Sequence, residues 1–141
     1  MSTNPEAGFE LDPRLAADTI QVADWDLCRV LLMNDAQFPW LVLVPRRRGL
    51  AELDDLDPGD RALLLQEIQR AMQTLRNAVA YDKFNVGALG NIVRQLHIHV
   101  IARRRTDAAW PGPVWGYGRA VAYAPDARDR LLTALRWAGD G

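Results

Sequence analysis

The stretch Gln95-Leu96-His97-Ile98-His99-Val100-Ile101 alternates polar and apolar side chains and holds both histidines of the chain. Alternation over this length describes a half-buried β-strand, in which residues two apart share a face. Gln95, His97 and His99 then line one side of a sheet, while Leu96, Ile98 and Val100 enter a core on the other. Two imidazoles and a carboxamide in a row leave three readings open. The row is a polar strand face, or it chelates a metal, since His-x-His on a strand can hold zinc. The third reading is a catalytic imidazole with a helper beside it.

The segments before this strand imply the sheet that holds it. Asp12-Pro13 pairs a capping residue with a proline suited to the first helical position, and predicts a short turn of helix over Arg14 to Ala17. Residues up to about Glu10 read as a loose tail. Thr19 to Ala23 alternates as a strand. Leu27 to Met33 and Trp40 to Val44 are apolar, β-rich runs separated by the turn chemistry of Asn34-Asp35, and they predict an antiparallel pair. Phe84 to Ala88 alternates again, with Phe84, Val86 and Ala88 expected in the core. Asn85 and Gly87 are expected on the face of the histidines. Gly90-Asn91 supplies the turn into the histidine strand.

Between the second and third of these groups the period changes from two to 3.6. Asp57-Pro58-Gly59-Asp60 is a strong helix start, and Leu64, Ile68, Met72 (or Ala71), Leu75 and Val79 follow at helical spacing. One amphipathic helix from about Pro58 to about Ala80 is expected to cover the apolar face of the sheet, opposite the histidines. Residues 106–124, which include Trp110, Pro111, Gly112, Pro113, Trp115, Gly116 and Gly118, predict an irregular segment: a lid, a pocket wall or a surface for a second subunit. A last helix is expected over 125–139, with Ala127, Leu131, Leu135 and Ala138 on one face. The pattern predicts a single α+β domain over 1–141, with a mainly antiparallel sheet of about five strands.

Composition removes several function classes. A formal net charge of −1 gives no global field that would demand nucleic acid or an anionic membrane. Two local clusters, Arg46-Arg47-Arg48 and Arg103-Arg104-Arg105, each follow a strand, and read as solvated edges or as the flanks of an anion site. Cys28 is the single cysteine and sits in an apolar run, which excludes an intramolecular disulfide and multi-cysteine metal sites. The N-terminal residues lack a basic start and an apolar core, and no run is long enough to span a bilayer, so a cytoplasmic protein is expected. Two histidines are too few for zinc unless carboxylates join them, and none lies close along the strand or its expected partner. No serine lies near, which leaves the imidazole itself as a nucleophile. Neutral imidazole attacks phosphorus and leaves again, so it suits two-step group transfer.

The Gln95–Ile101 stretch resembles the signature of the histidine triad (HIT) family, His-φ-His-φ-His-φ-φ, with Gln95 where the first histidine usually stands. The resemblance extends from about Thr19 to Arg105, with the strand pair around Asn34, the long helix and the Asn85 strand in family order. It implies a HIT-like fold and a nucleotidyl hydrolase or transferase acting on a nucleoside phosphoramidate, a dinucleoside polyphosphate or a related conjugate. A nucleotide-binding module with little turnover is the alternative that Gln95 leaves open. His97 takes the place of the family's nucleophile toward the α-phosphorus, and His99 that of the hydrogen-bonding partner of phosphate or leaving group. Gln95 completes the catalytic set: if that position only orients its neighbours the chemistry survives, and if an imidazole is needed there activity is lowered or the substrate altered. Asn34 falls at the ribose contact, and Asn85, Leu89, Gly90 and Asn91 at the phosphate side. The resemblance also implies a homodimer with a sheet continuous across subunits, helped by apolar surface near Trp110 and Trp115. It implies no resident cofactor or metal, a divalent ion entering only with a polyphosphate substrate.

Overall fold

The computed structural model describes residues 4–140, with side chains to Trp137. Nine elements follow in the order α1 (Pro13–Asp18), β1 (Thr19–Asp24), β2 (Cys28–Met33), β3 (Trp40–Pro45), a short 3-10 turn (Leu53–Asp55), α2 (Pro58–Ala78), β4 (Lys83–Gly87), β5 (Ile98–Arg103) and α3 (Pro125–Asp140). The strands form a five-stranded sheet in the order β1-β2-β3-β5-β4, and every pair is antiparallel. The α+β architecture with its long helix and C-terminal helix is the one expected from the sequence.

Caps and periodicity account for the helices. The Asp12 side chain accepts from Arg14 N–H at the start of α1, and Asp57 accepts from Asp60 N–H at the start of α2. Leu64, Ala71 and Leu75 of α2 are buried against Leu41 and Leu43 of β3 and Ile98, Val100 and Ala102 of β5. Leu132 and Leu135 of α3 join the same core; Ala138, expected on that face, lies beyond the described side chains. The Glu67 carboxylate, almost fully buried on α2, accepts from the backbone N–H groups of Leu27 (2.9 Å) and Cys28 (2.8 Å), fixing the helix to the start of β2.

The other face carries a second cluster: Leu31, Phe38, Trp40, Val42, Val44, Ile101 and Val114, with Leu15 from α1. Strands β3 and β5 are therefore buried on both faces along their whole length, which is why Trp40 to Val44 reads as a continuous apolar run. His99 stands on this second face, directly opposite Val42 of β3 and Gly87 of β4, and away from α2.

Three local expectations change. β5 begins at Ile98 rather than Gln95: its ladder with β3 stops at the Leu43–Ile98 pair, although β3 runs on to Pro45, and its ladder with β4 stops at Gly87–His99. Leu96 N–H instead donates to Leu50 O at 3.0 Å. Val86 and Ala88, expected in the core, are exposed, Val86 by 45%, because β4 is an edge strand that ends at Gly87 and α2 packs over β3 and β5. The stretch read as a loose tail, in its described part, is held down: Glu6 accepts from the Arg46 guanidinium at 2.8 Å, and Phe9 packs on the second cluster.

Candidate active site

Beside the second cluster a cleft of about 710 Å³ opens over β5. Its lining includes Asn34, Leu89, Gly90, Asn91, His97 and His99, so the structure brings together six of the eight residues singled out from the sequence. Its lining is largely apolar and aromatic, with Leu15, Met33, Ile92 and Val93 beside Trp40, Trp115 and Tyr117. An apolar slot with a few convergent polar groups is the general form of a small-ligand site.

The histidines are held in definite orientations. His97 Nδ1–H donates to the backbone carbonyl of Gln95 at 2.7 Å. A carbonyl only accepts, so the neutral ring carries its proton on Nδ1 and keeps a lone pair on Nε2. His99 Nδ1 accepts from the indole N–H of Trp40 at 2.9 Å. The two imidazoles lie with centroids 4.9 Å apart and nearly perpendicular, at 71°. Burial, and after it the charge of His97, push the His99 imidazole down to about 4.

The irregular segment forms a wall of the cleft. Trp115 meets the His99 ring edge-on at 5.4 Å and lies over Gly87, where an added Cβ would come within 3.1 Å of its Cη2. Glycine at 87 leaves room for the close approach of the indole, which a side chain there would have to displace by a few tenths of an ångström. The segment is anchored at its root by Arg103, 1% exposed, which donates to both carboxylate oxygens of Asp107 and to Gly112 O. Asp107 also accepts from the N–H groups of Arg104, Ala109 and Trp110, which folds the chain back toward the sheet.

Two residues are placed differently from the expectation. The Gln95 carboxamide is spent on the N-terminal segment rather than on the histidines: Oε1 accepts from Asp12 N–H (2.8 Å) and Nε2 donates to Glu10 O (2.8 Å). It can turn this way because Gln95 precedes the first paired residue of β5. Asn85 Oδ1 accepts from Arg103 Nη1 at 2.8 Å, and Asn85 lines an outer groove with Tyr81, Lys83 and Val86, not the cleft. Its strand position is as expected, but Arg103 lies beside it and holds its amide. The arginine clusters likewise do not line the cleft. Arg46 pairs with Glu6 and Arg47 with Asp60, and Arg103 serves Asp107.

Trp40 and Asp35 were not singled out in the sequence, whereas Trp115 belongs to the segment for which a pocket wall was one reading. Trp40 stood in a buried apolar run. Asp35, 5% exposed and lining the cleft, looked like turn chemistry. Its Oδ1 accepts from Gln37 and from Val121 N–H, while Asn34 Oδ1 accepts from Tyr123 N–H; these bonds tie the β2–β3 turn to the segment before α3. Among the described residues no group of three or more His, Cys, Asp and Glu is placed to hold a metal ion, and no helix is long and apolar enough to cross a membrane.

Residues 14–106 match the HIT domain. The chain is 45% identical to a histidine triad protein of Bradyrhizobium japonicum, with a TM-score of 0.90 over 92% of this chain and 97% of that one. A histidine triad protein of Marinobacter aquaeolei superposes with a TM-score of 0.91 at 42% identity, over 94% and 96% of the two chains. An AP-4-A phosphorylase of Mycobacterium tuberculosis is 35% identical over 104 residues, which are 70% of this chain and 52% of that protein. The chain therefore spans about half the length of the curated relatives it matches.

Proposed function

The chain belongs to the HIT domain family, and from that premise we propose that it processes nucleotides, as a nucleotidyl hydrolase or transferase that attacks an α-phosphate through His97. The observation that carries the proposal is the bond from His97 Nδ1–H to Gln95 O, because it leaves the Nε2 lone pair free to act. Support for a nucleotide as substrate comes from the family and from the relative named AP-4-A phosphorylase.

The nucleoside takes the apolar lining of the cleft, with Asn34 at the ribose and the backbone of Leu89 to Asn91 at the phosphate. His97 Nε2 attacks the α-phosphorus in line. The bond from phosphorus to the leaving group breaks, and its electron pair goes with that group. The nucleotidyl-imidazole is then hydrolysed: water attacks phosphorus, a proton is lost to solvent, and neutral His97 departs. His99 and main-chain amides stabilise the equatorial oxygens. Gln95, at the family's first histidine position, contributes its carbonyl to His97 and its side chain to the N-terminal segment. Asn85, through Arg103, supports the wall that carries Trp115. None of these steps calls on a resident metal.

β4 ends the sheet with one edge unpaired, and an exposed strand edge is a template for pairing. A homodimer whose sheet continues through this edge follows from the family likeness and predicts twice the chain mass in light scattering. The function is tested by incubating the protein with a nucleoside phosphoramidate and with a dinucleoside polyphosphate and measuring released mononucleotide. Tight nucleotide binding without release would replace the enzyme with a binding module.

A further inference from the structure

We propose that Trp40 is a positioning residue for His99: its indole N–H selects the neutral imidazole tautomer with the proton on Nε2, so that His99 presents a donor to the cleft while His97 presents a lone pair. The inference rests on the reading of the cleft as a phosphoryl-transfer site, but the tautomer itself belongs to the free protein.

Strand geometry places the two residues. Trp40 pairs with Ile101 across the β3–β5 ladder, and His99 is two residues before Ile101 on the same face. Trp40 and His99 are therefore diagonal neighbours, within reach of an aromatic side chain. The indole crosses this diagonal, with ring centroids 5.6 Å apart, and its Nε1 lies 2.9 Å from His99 Nδ1. Trp40 is itself buried and held edge-on by Phe38 at 6.5 Å.

The chemistry permits one arrangement. An indole N–H donates and cannot accept, so His99 Nδ1 must be the acceptor and the ring proton must sit on Nε2. An imidazolium would point a second N–H at the indole, donor against donor, so the same contact disfavours the cation. His97 is the titratable group that faces His99; Trp40 and Val42 from β3, Gly87 from β4 and Trp115 from the irregular segment bring no charge. The depressed ionisation of His99 agrees with this environment. Among the described residues the buried side-chain polar atoms without a partner are Arg46 Nη1 and Trp115 Nε1. His99 Nε2 is not one of them, consistent with its opening onto the cleft. The two rings thus carry opposite tautomers, His97 fixed by a main-chain acceptor and His99 by a side-chain donor. A donor at His99 Nε2 suits a phosphoryl oxygen or the bridging atom of a leaving group.

The test is nitrogen NMR of the labelled protein near neutral pH, with Trp40→Phe beside the wild type. The wild type should show a protonated Nε2 and an unprotonated Nδ1 at His99, the latter coupled across the N–H···N bond to Trp40 Nε1. Trp40→Phe keeps a ring in the core and removes the donor. It should mix the His99 tautomers, let His99 protonate at higher pH, and lower kcat by about tenfold to a hundredfold with little change in KM. A proton on Nδ1 of His99 in the wild type overturns the proposal and does not need the variant to fold. So does a folded Trp40→Phe protein with wild-type His99 signals and wild-type kcat. The predicted wild-type tautomer in a protein that turns over no nucleotide conjugate would sink the enzyme reading and leave the Trp40 assignment in place.

Discussion

His97 Nδ1 lies 2.7 Å from the carbonyl oxygen of Gln95, two residues earlier in the same chain. The acceptor that fixes the His97 tautomer is main chain, so it is present whatever side chain stands at 95. Glutamine at that position therefore leaves the Nε2 lone pair of His97 available, and its carboxamide holds Glu10 and Asp12.

Gln95→Ala should keep kcat within about tenfold, because the carbonyl remains, and should raise KM, because α1 contributes Leu15 to the cleft and loses its tether. Two hydrogen bonds are lost, at a cost of about 1 kcal/mol each. Steady-state kinetics, together with faster hydrogen exchange at the Asp12 amide, check both parts.

His97→Ala should reduce turnover by about four orders of magnitude or more, since it removes the nucleophile. Nucleotide affinity should fall far less, because Asn34 and the Leu89–Asn91 segment still line the cleft. His99→Ala should cost less than His97→Ala. Single-turnover rates and calorimetric binding of a mononucleotide separate the two effects.

The depressed ionisation of His99 sets a pH window for stability. Burial, then the charge of His97, hold its imidazole at about 4 in the folded chain, against 6.5 for an unperturbed one. Between these values the unfolded chain binds a proton that the folded chain does not. Stability should be fully developed above pH 6.5 and fall as pH drops toward 4, by roughly 3 kcal/mol. Asp107, held low chiefly by its hydrogen bond from Arg103, loses its contribution at more acidic pH. Urea unfolding across this range, compared with His99→Asn, should show the slope in the wild type and a flatter profile in the variant.

Gly87→Val should push Trp115 off the His99 ring, because even a Cβ at 87 stands within 3.1 Å of the indole. Expected are a shift of the His99 ring-proton resonances and a fall in kcat/KM of about tenfold. Unchanged resonances would show that the wall yields elsewhere.

The parts of the fold that follow from periodicity were legible in the sequence: the caps at Asp12 and Asp57, the buried runs of β2 and β3, and the placement of His99 opposite α2. The start of β5 was not, because alternation continues through Gln95 whereas the ladder stops at Ile98 and the Leu96 N–H turns to Leu50 O. Val86 was misplaced for a related reason, since alternation does not reveal an edge. In the cleft, His97 and His99 were readable from their spacing, and Asn34, Leu89, Gly90 and Asn91 from the family likeness. Contacts between residues remote in sequence were not: Trp40 with His99, Arg103 with Asn85, and the Gln95 carboxamide with Glu10.

The central claim is a covalent nucleotide on His97, and the stereochemical course at phosphorus tests it most directly. A nucleoside phosphorothioamidate of known configuration is hydrolysed by the protein in isotopically labelled water, and the configuration of the thiophosphate product is determined. Two successive in-line displacements, first by His97 Nε2 and then by water, predict retention of configuration. Inversion would mean that water attacks in a single step, and would contradict the nucleotidyl-histidine intermediate.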